Sequence, residues 1–245
     1  MTRLYNICGL PVECDFRYPT MTARAEKYLA DNTSPPEISV SCSEKCVELL
    51  RNNNPALSED ECEIIVTAEN FYMQLLRYDG FMLHSSAVEI DGRAYLFSAP
   101  SGTGKSTHTE QWLKLFGERA RIINDDKPAI CIVDGNILAY GTPWSGKSDL
   151  NINVGVPLQG ICMLERSPEN FIQPLPADKA VFGILNQTVR PPDESGMDRL
   201  LTLVDEVVSR VPVWRMGCNI SIAAAHTAYD AMSAVHYGVS GSDPE

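Results

Sequence analysis

The stretch "LFSAPSGTGKSTHTEQW", residues 96–112, defines the local architecture at the centre of this chain. Its first residues are apolar and typical of a buried strand, whereas Trp112, Leu113 and Phe116 recur at helical spacing after a Gly-rich turn. A strand, a Gly-rich loop and a helix in this order place free N–H groups and the positive end of the helix dipole at the loop. The stretch therefore predicts a phosphate-binding loop.

The polar residues of this loop have distinct predicted roles. Lys105 would contact the β- and γ-phosphates of a nucleotide, and the Ser106 hydroxyl would bind Mg²⁺. The alternative is a plain Gly-rich turn between a strand and a helix. The sequence predicts ATP and Mg²⁺ as cofactors. The predicted nucleotide-binding residues are Ser101, Gly102, Thr103, Gly104, Lys105, Ser106 and Thr107.

A second stretch, "AYGTPWSGKSDLN" at residues 139–151, matches the pattern G-x-x-x-x-G-K-[ST] literally, while the first stretch has Ala99 in place of the first Gly. The residues that follow the second stretch show no helical periodicity, and Pro143 removes an N–H donor inside it. Context therefore favours the first stretch as the phosphate loop. Trp144 is predicted to pack in the core, with stacking on a base as the alternative. Lys147 is a candidate cation for the same site.

Two adjacent carboxylates, Asp125 and Asp126, directly follow the apolar strand "RARIIN" at residues 119–124. One carboxylate of such a pair can hold Mg²⁺, and the other can take a proton from an attacking hydroxyl. A solvated turn at a strand end gives the same pattern. The pair alone leaves both interpretations open.

Three segments together resemble the catalytic domain of HPr kinase/phosphorylase: "LHSSAV", "SAPSGTGKST" and "INDDKPAI". His84 lies 21 residues before Lys105 and Asp125 lies 20 residues after it, and in that family a His precedes the loop and an Asp pair follows it. The loop also resembles that of ATP-dependent phosphoenolpyruvate carboxykinase. "YGTPWSGK" and "VPLQGICMLERSPEN" are similar to segments of the smaller HPr kinase-related peptide kinases.

The resemblance implies a Mg-ATP-dependent kinase that phosphorylates a hydroxyl, with serine of a peptide or protein as the first expectation. A small-molecule hydroxyl is the nearer alternative, and a non-catalytic nucleotide-binding regulator is the alternative from another class. HPr kinase is an oligomer, which implies self-association here. The segment by which HPr kinase recognises and dephosphorylates its carrier protein has no counterpart in this chain, so that reaction is not expected.

The site residues follow from these motifs. Ser106 and Asp126 are the predicted Mg²⁺ ligands, and Asp125 is the predicted general base. His84 would orient Asp125 or contact the γ-phosphate. Arg190, in the loop "NQTVRPPDESG", would close over the site, with a plain surface arginine as the alternative. The predicted catalytic residues are Asp125, Lys105, His84, Lys147 and Arg190.

The predicted fold is α/β with a mixed sheet, because hairpin signals alternate with helical patterns. Residues 1–78 form a small N-terminal mixed region, 79–238 the nucleotide-binding domain, and 239–245 a frayed tail. Ser58 and Glu61 predict a capping box for a helix over 59–78, with the chain turning through a left-handed Gly80. A hairpin over 81–99 turns at Asp91-Gly92.

Composition excludes two classes of partner. A formal charge of -12 argues against nucleic acid, and the absence of an 18-residue apolar run argues against a membrane span. The start lacks the pattern of a secretory signal, and no C-x-x-C occurs among eight cysteines. We therefore expect reduced thiols in a cytoplasmic protein. A metal site that includes Cys42 and Cys46 is the alternative.

Overall fold

The computed structural model describes residues 2–31 and 34–234, so the tail predicted at 239–245 lies outside the described residues. The N-terminal region combines a small three-stranded sheet with three helices. β1 and β2 form an antiparallel hairpin, and β3 pairs with β2 in parallel. The elements are β1 (Arg3–Ile7), β2 (Leu10–Asp15), α1 (Pro19–Ala25), β3 (Ile38–Ser41), α2 (Glu44–Asn53) and α3 (Glu59–Leu75).

The predicted capping box at the start of α3 is confirmed, with Ser58 and Glu61 bonded in both directions. The predicted end of that helix was wrong in detail. The left-handed residue is Asp79, with a φ of 57°, after a short 3-10 turn. Gly80 instead packs closely, since a Cβ there would lie 2.7 Å from the Cys131 sulfur.

The nine strands between residues 80 and 218 form a single mixed sheet, which confirms the predicted mixed α/β class. Its strand order is β4-β8-β9-β10-β6-β5-β7, and β12 pairs with both β10 and β11. The elements are β4 (Gly80–Met82), β5 (Ser85–Ile90), β6 (Arg93–Ser98), α4 (Lys105–Phe116), β7 (Ala120–Asn124), β8 (Ala129–Val133), β9 (Asn136–Tyr140), β10 (Gly155–Arg166), β11 (Phe171–Pro174), α5 (Ala177–Leu185), α6 (Glu194–Arg210), β12 (Val213–Cys218) and α7 (Ile222–Ser233).

Strand directions bring distant segments to one edge of this sheet. β6 and β7 are both antiparallel to β5, which lies between them, so the carboxyl ends of β6 and β7 point the same way. β10 runs parallel to β6 and to β12. The loops that follow β6, β7, β10 and β12 therefore emerge on the same side, where α/β sheets place ligands.

Apolar packing on both faces of the sheet holds β6 at its centre. Ala94 and Leu96 face a core shared with α5 and α6, whereas Tyr95 and Phe97 face a core shared with α4 and α7. A strand buried on both faces needs a continuous apolar sequence, which is the pattern seen before the Gly-rich loop. Trp112 of α4 is fully buried in the second of these cores.

The N-terminal region shares a core with the main sheet. Phe71 of α3 stacks on Trp144, with ring centroids 4.7 Å apart, and Cys131 of β8 belongs to the same cluster. Trp144 is fully buried, so the prediction that it packs is confirmed. The domain boundary at residues 78 and 79 stays a prediction.

Within the described part of the chain, no helix is long and apolar enough to cross a membrane. The eight cysteines are free thiols, and six of them are buried. No group of three or more His, Cys, Asp or Glu residues among residues 2–31 and 34–234 is arranged to hold a metal ion.

Candidate functional site

The Gly-rich loop joins the carboxyl end of β6 to the amino end of α4. Gly102 and Gly104 have φ angles of 76° and 119°, in the left-handed region that side chains disfavour. A Cβ at either position would have no heavy atom beyond its chain neighbours within 4 Å, so the backbone conformation is what requires glycine. Gly104 has no side chain to cap α4, which leaves the N–H groups of the first turn available to an anion.

Lys105 is the first residue of α4 and is only 7% exposed. Its Nζ donates a hydrogen bond of 2.9 Å to the carbonyl oxygen of Ala99, so the side chain folds back across the loop. Burial lowers the pKa of Lys105, and the charges of Asp126 and Asp125 oppose that decrease. The ammonium group therefore lies within the electrostatic influence of both carboxylates.

Asp125 follows β7 and accepts two hydroxyl hydrogen bonds. Ser86 of β5 donates to Oδ1 at 2.9 Å, and Ser148 donates to Oδ2 at 2.7 Å. The Ser86 hydroxyl also lies 2.8 Å from the hydroxyl of Thr109 in α4, and Thr109 donates to the backbone oxygen of Ser106 at 3.1 Å. Two side-chain contacts thus connect Asp125 to the first turn of the helix that carries Lys105.

Asp126 contacts two basic side chains. His84 Nε2 lies 3.2 Å from Oδ1, and Lys127 pairs with Oδ2. Burial alone raises the pKa of Asp126, but the hydrogen bonds and charges of His84 and Lys127 outweigh it and lower that pKa to about 2. Asn124 holds the turn, because its Oδ1 accepts from the N–H groups of Asp126 and Lys127 at 2.9 and 2.7 Å.

The structure corrects one predicted contact. His84 was expected to orient Asp125 or to contact the γ-phosphate; it lies against Asp126 rather than Asp125, and the contact with the γ-phosphate stays a prediction. The chain turns between β4 and β5, and there Gln187 holds the imidazole, with Oε1 3.0 Å from Nδ1. The backbone N–H of His84 also donates to the backbone carbonyl oxygen of Gln187 at 2.7 Å. Ser86, two residues further along the chain, makes the contact with Asp125 instead.

The literal pattern match at residues 141–148 forms a different kind of loop. No helix follows it before β10, and the prediction that a helix follows only the first loop is confirmed. Its carbonyl groups at Ser145 and Gly146 accept hydrogen bonds of 3.1 and 3.2 Å from the guanidinium of Arg24 in α1. A loop that presents carbonyl oxygens to a cation is not arranged as an anion cradle.

This second loop nevertheless reaches the Asp pair. A Cβ built on Gly146 would lie 3.4 Å from the Asp125 backbone oxygen and 3.5 Å from the Asp126 Cβ. Tyr28 donates to Asn151 Oδ1 at 2.8 Å and so fixes the end of the loop. The loop therefore packs against the turn that carries the two carboxylates.

The two further candidate cations lie in exposed positions. Lys147 is exposed, and its charge adds to the Ser58 hydrogen bonds that chiefly lower the pKa of Glu61. Arg190 is exposed and follows Gln187 by three residues, in the segment that holds His84. The structure thus brings His84 against Asp126 and places Lys105 on the helix that Thr109 and Ser86 link to Asp125, whereas the contacts described above do not include Lys147 or Arg190.

Several contributors to the site were not anticipated from sequence, among them Arg24, Ser86, Ser148, Gln187 and Arg166. Ser86 was the most accessible of them to sequence reasoning, because positions 84 and 86 share a face in extended chain. Arg166 ends β10 and donates to the backbone oxygens of Thr103 at 3.2 Å and of Gly102. The sequence feature that could have pointed to Arg166 is its position as the basic last residue of a predicted buried strand.

A cavity of about 580 Å³ adjoins the Gly-rich loop. Three segments form its walls: the loop and α4, the end of β10 and the end of β12. The lining residues are Gly102, Thr103, Gly104, Thr107, His108, Gln111, Arg166, Ser167, Pro168, Cys218, Asn219 and Ile220. The cavity lies at the carboxyl ends of three parallel strands, which is the usual ligand position in such sheets. His108 lines it, and burial lowers the pKa of His108 to about 4, so that the imidazole is neutral at pH 7.

Fold and site together define a mixed α/β protein in which a Gly-rich loop, a buried lysine and an Asp pair meet at one sheet edge. The chain belongs to the family described as "SynChlorMet cassette protein ScmC", whose model matches residues 52–191. The matched segment contains the Gly-rich loop, the Asp pair and the second loop.

No curated protein matches the chain in sequence. Among solved structures, the Hpr(Ser) kinase/phosphatase from Coxiella burnetii is similar at 15% identity with a TM-score of 0.28. The similarity covers 51% of this chain and 88% of that one. At this TM-score the likeness supports no inference about activity.

Proposed function

We propose that this protein is a Mg-ATP-dependent kinase that moves the γ-phosphate of ATP to a hydroxyl group. The observation that carries the proposal is that the loop after β6, with the buried Lys105, and the Asp pair after β7 emerge at the same sheet edge, where Ser86 and Thr109 link Asp125 to α4. Phosphoryl transfer depends mainly on positioning and on neutralising charge. A lysine for the donor phosphate and a carboxylate for the acceptor hydroxyl are suited to that task.

The nucleotide would bind along the amino end of α4. The free N–H groups after Gly104 and the Lys105 ammonium suit the phosphates. The adjoining cavity, at about 580 Å³, has a size ordinary for a small-molecule site and suits the nucleoside. Arg166 bonds the loop backbone from the cavity side and would keep the loop in shape.

Ser106 and Asp126 would hold Mg²⁺. Ser106 is exposed at the first turn of α4, and Asp126, with a pKa of about 2, is ionised at neutral pH. Mg²⁺ usually binds through one or two carboxylates together with substrate phosphates and water, so the donor set fits. When bound, Mg²⁺ neutralises charge on the β- and γ-phosphate oxygens.

Asp125 is the proposed base, and a serine hydroxyl is the proposed acceptor group. Asp125 already accepts a hydrogen bond of 2.7 Å from the hydroxyl of Ser148, a distance that suits proton transfer. A serine side chain therefore fits against this carboxylate, which favours serine of a peptide or protein over other acceptors. The sequence resemblance to HPr kinase supports the same acceptor class.

The test is transfer of labelled γ-phosphate from ATP to the proteins, peptides and metabolites of a cell extract. Lys105→Ala should lower transfer by about 10²–10³-fold, the usual cost of removing one electrostatic donor from a transition state. Lys114→Ala is the matched control, because Lys114 is an exposed lysine at the other end of the same helix. Transfer by wild type that Lys105→Ala leaves intact would contradict the proposal.

A further inference from the structure

The Ser148 hydroxyl lies where the acceptor hydroxyl of the proposed reaction would lie, against the carboxylate of Asp125. This hydroxyl donates to Asp125 Oδ2 at 2.7 Å, and the residue is exposed. We propose that Ser148 is itself phosphorylated by this protein, in cis, from the γ-phosphate of a nucleoside triphosphate. This inference rests on the proposed function and adds a modification site to it.

Ser148 is the accessible serine at Asp125. Ser86, which binds the other oxygen of the same carboxylate, is fully buried and also contacts Thr109. Ser145, in the same loop as Ser148, is 3% exposed and donates to Asp149 at 2.9 Å. Of these three hydroxyls, only that of Ser148 combines exposure with a direct bond to the proposed base.

The loop around Ser148 is anchored on both sides. Before it, Arg24 bonds the carbonyl oxygens of Ser145 and Gly146. After it, the amide of Asn151 donates to Asp149 Oδ1 at 3.0 Å. These contacts hold the hydroxyl at the carboxylate before any nucleotide arrives, which is the orientation effect that makes an intramolecular reaction fast.

The donor phosphate would arrive at the same carboxylate. Asp125 is connected through Ser86 and Thr109 to the first turn of α4. The Lys105 ammonium is held by the Ala99 carbonyl at the start of the loop. A γ-phosphate bound at the first turn of α4 would therefore approach the carboxylate that already binds the Ser148 hydroxyl.

The step balances without a further reagent beyond the nucleoside triphosphate. The Ser148 oxygen attacks the γ-phosphorus, and a new P–O bond forms. The bond between the γ-phosphorus and the β,γ-bridging oxygen breaks, and its electron pair leaves with the nucleoside diphosphate. The serine proton passes to the Asp125 carboxylate.

The experiment incubates the full chain with Mg-ATP and maps phosphate by mass spectrometry. We expect the tryptic peptide that begins at Ser148 to gain one phosphoryl group. The rate per chain should not change with protein concentration, as a reaction in cis requires. Ser148→Ala should lose the label, Ser148→Thr should carry it on threonine, and Ser209→Ala, an exposed serine on α6, should keep it on Ser148.

Three outcomes would overturn the inference. One is an unlabelled Ser148 peptide in wild type that does transfer phosphate to other acceptors, which would leave the proposed function standing. The second is undiminished labelling of Ser148→Ala, and the third is a rate per chain that rises with concentration. A chain that neither binds Mg-ATP nor transfers phosphate would overturn the proposed function together with this inference.

Discussion

The two loops that contain Gly-Lys-Ser differ in what surrounds them. The loop over 99–106 follows a strand buried on both faces and continues into α4, whereas the loop over 141–148 leads into an irregular segment bonded to α1. The first exposes backbone N–H groups at a helix start, and the second turns carbonyl oxygens toward Arg24. A motif acts through the elements that flank it, because those elements decide which backbone groups face a ligand.

Both loops are nevertheless linked to the turn that carries the Asp pair, the first indirectly through Thr109 of α4 and Ser86, and the second directly through Ser148. Lys105 of the first loop is coupled by charge to Asp125 and Asp126, and Gly146 and Ser148 of the second lie against that pair. In the proposed function the first loop binds the phosphate donor, and the second places the Ser148 hydroxyl at Asp125, the proposed base. Variants in and around the two loops can therefore test whether the loops have different roles.

The largest expected effect is on transfer by Asp125→Asn. The amide keeps the shape but cannot take a proton at neutral pH, so transfer should decrease by about 10²–10⁴-fold, the usual contribution of a general base. The affinity for Mg-ATP should change little, because Lys105 and the N–H groups of α4 remain. Equilibrium binding of labelled ATP and initial transfer rates measure the two quantities.

The control for this variant is Asp198→Asn, an exposed carboxylate on α6. If the protein only binds nucleotide, wild type itself will show no transfer, and Asp125→Asn will then cause no decrease. Equal loss of binding and of transfer would show that Asp125 holds the nucleotide, and the division of roles between the loops would be wrong.

Trp144→Ala should destabilise the fold by about 3–5 kcal/mol, as is typical for truncation of a buried large aromatic. Trp144 is fully buried, stacks on Phe71 and donates to the Thr67 hydroxyl at 3.0 Å. The second loop would then lose its anchor to α3. Urea unfolding measures the change. A loss below about 1 kcal/mol would mean that the loop is held by its polar contacts alone.

Acid should lower the free energy of unfolding by protonating Asp126, which lies in the turn after β7. The pKa of Asp126 is lowered from 3.8 to about 2 in the folded chain. This carboxylate therefore stabilises the fold fully above pH 4, and that contribution, at most about 2 kcal/mol, is lost as the pH falls toward 2. Asp126→Asn should flatten this part of the stability profile, measured by urea unfolding at stepped pH. If the slope of stability against pH between 4 and 2 is the same in Asp126→Asn as in wild type, Asp126 is not the group responsible for this acid sensitivity.

The smallest expected effect contrasts two glycines. Gly104→Ala forces a Cβ into a left-handed conformation and should cost about 1–2 kcal/mol. Gly146 is not among the residues with positive φ, and an added Cβ there would make ordinary contacts at 3.4–3.6 Å, so Gly146→Ala should be nearly neutral. Thermal unfolding of both variants compares them. If both variants are destabilised equally, a strained glycine conformation is not a feature that distinguishes the first loop from the second.

Local patterns were sufficient for much of the fold. The strand, Gly-rich loop and helix of the first stretch, the capping box at Ser58 and the hairpin turn at Asp91-Gly92 depend on neighbours within a few residues. The same holds for the Asp pair after β7, since an apolar strand that ends in a polar turn is visible in sequence. The expectation that the Gly-rich loop and the Asp pair lie close together came from the resemblance to a known catalytic domain.

The remaining contacts of the site could not be predicted in this way. Arg24 and Ser145 are separated by 121 residues, Ser86 and Asp125 by 39, and His84 and Gln187 by 103. Nothing in the local sequence of Arg24 distinguishes it from a solvated arginine. The sequence could not decide which carboxylate of the pair His84 contacts for the same reason, because two adjacent carboxylates differ only in where the turn directs them.

The amino-acid sequence by itself determined the mixed α/β class, the presence of a helix directly after only the first of the two Gly-Lys-Ser loops and the position of the Asp pair at a strand end. These features follow from periodicity, turn chemistry and helix-end electrostatics, which act over a few residues. Only the tertiary structure decided that Ser86 and Ser148 bind Asp125, that His84 and Lys127 bind Asp126, and that α1 holds the second loop. The physical reason is that strand order brings distant segments to one sheet edge, and no local interaction specifies that order.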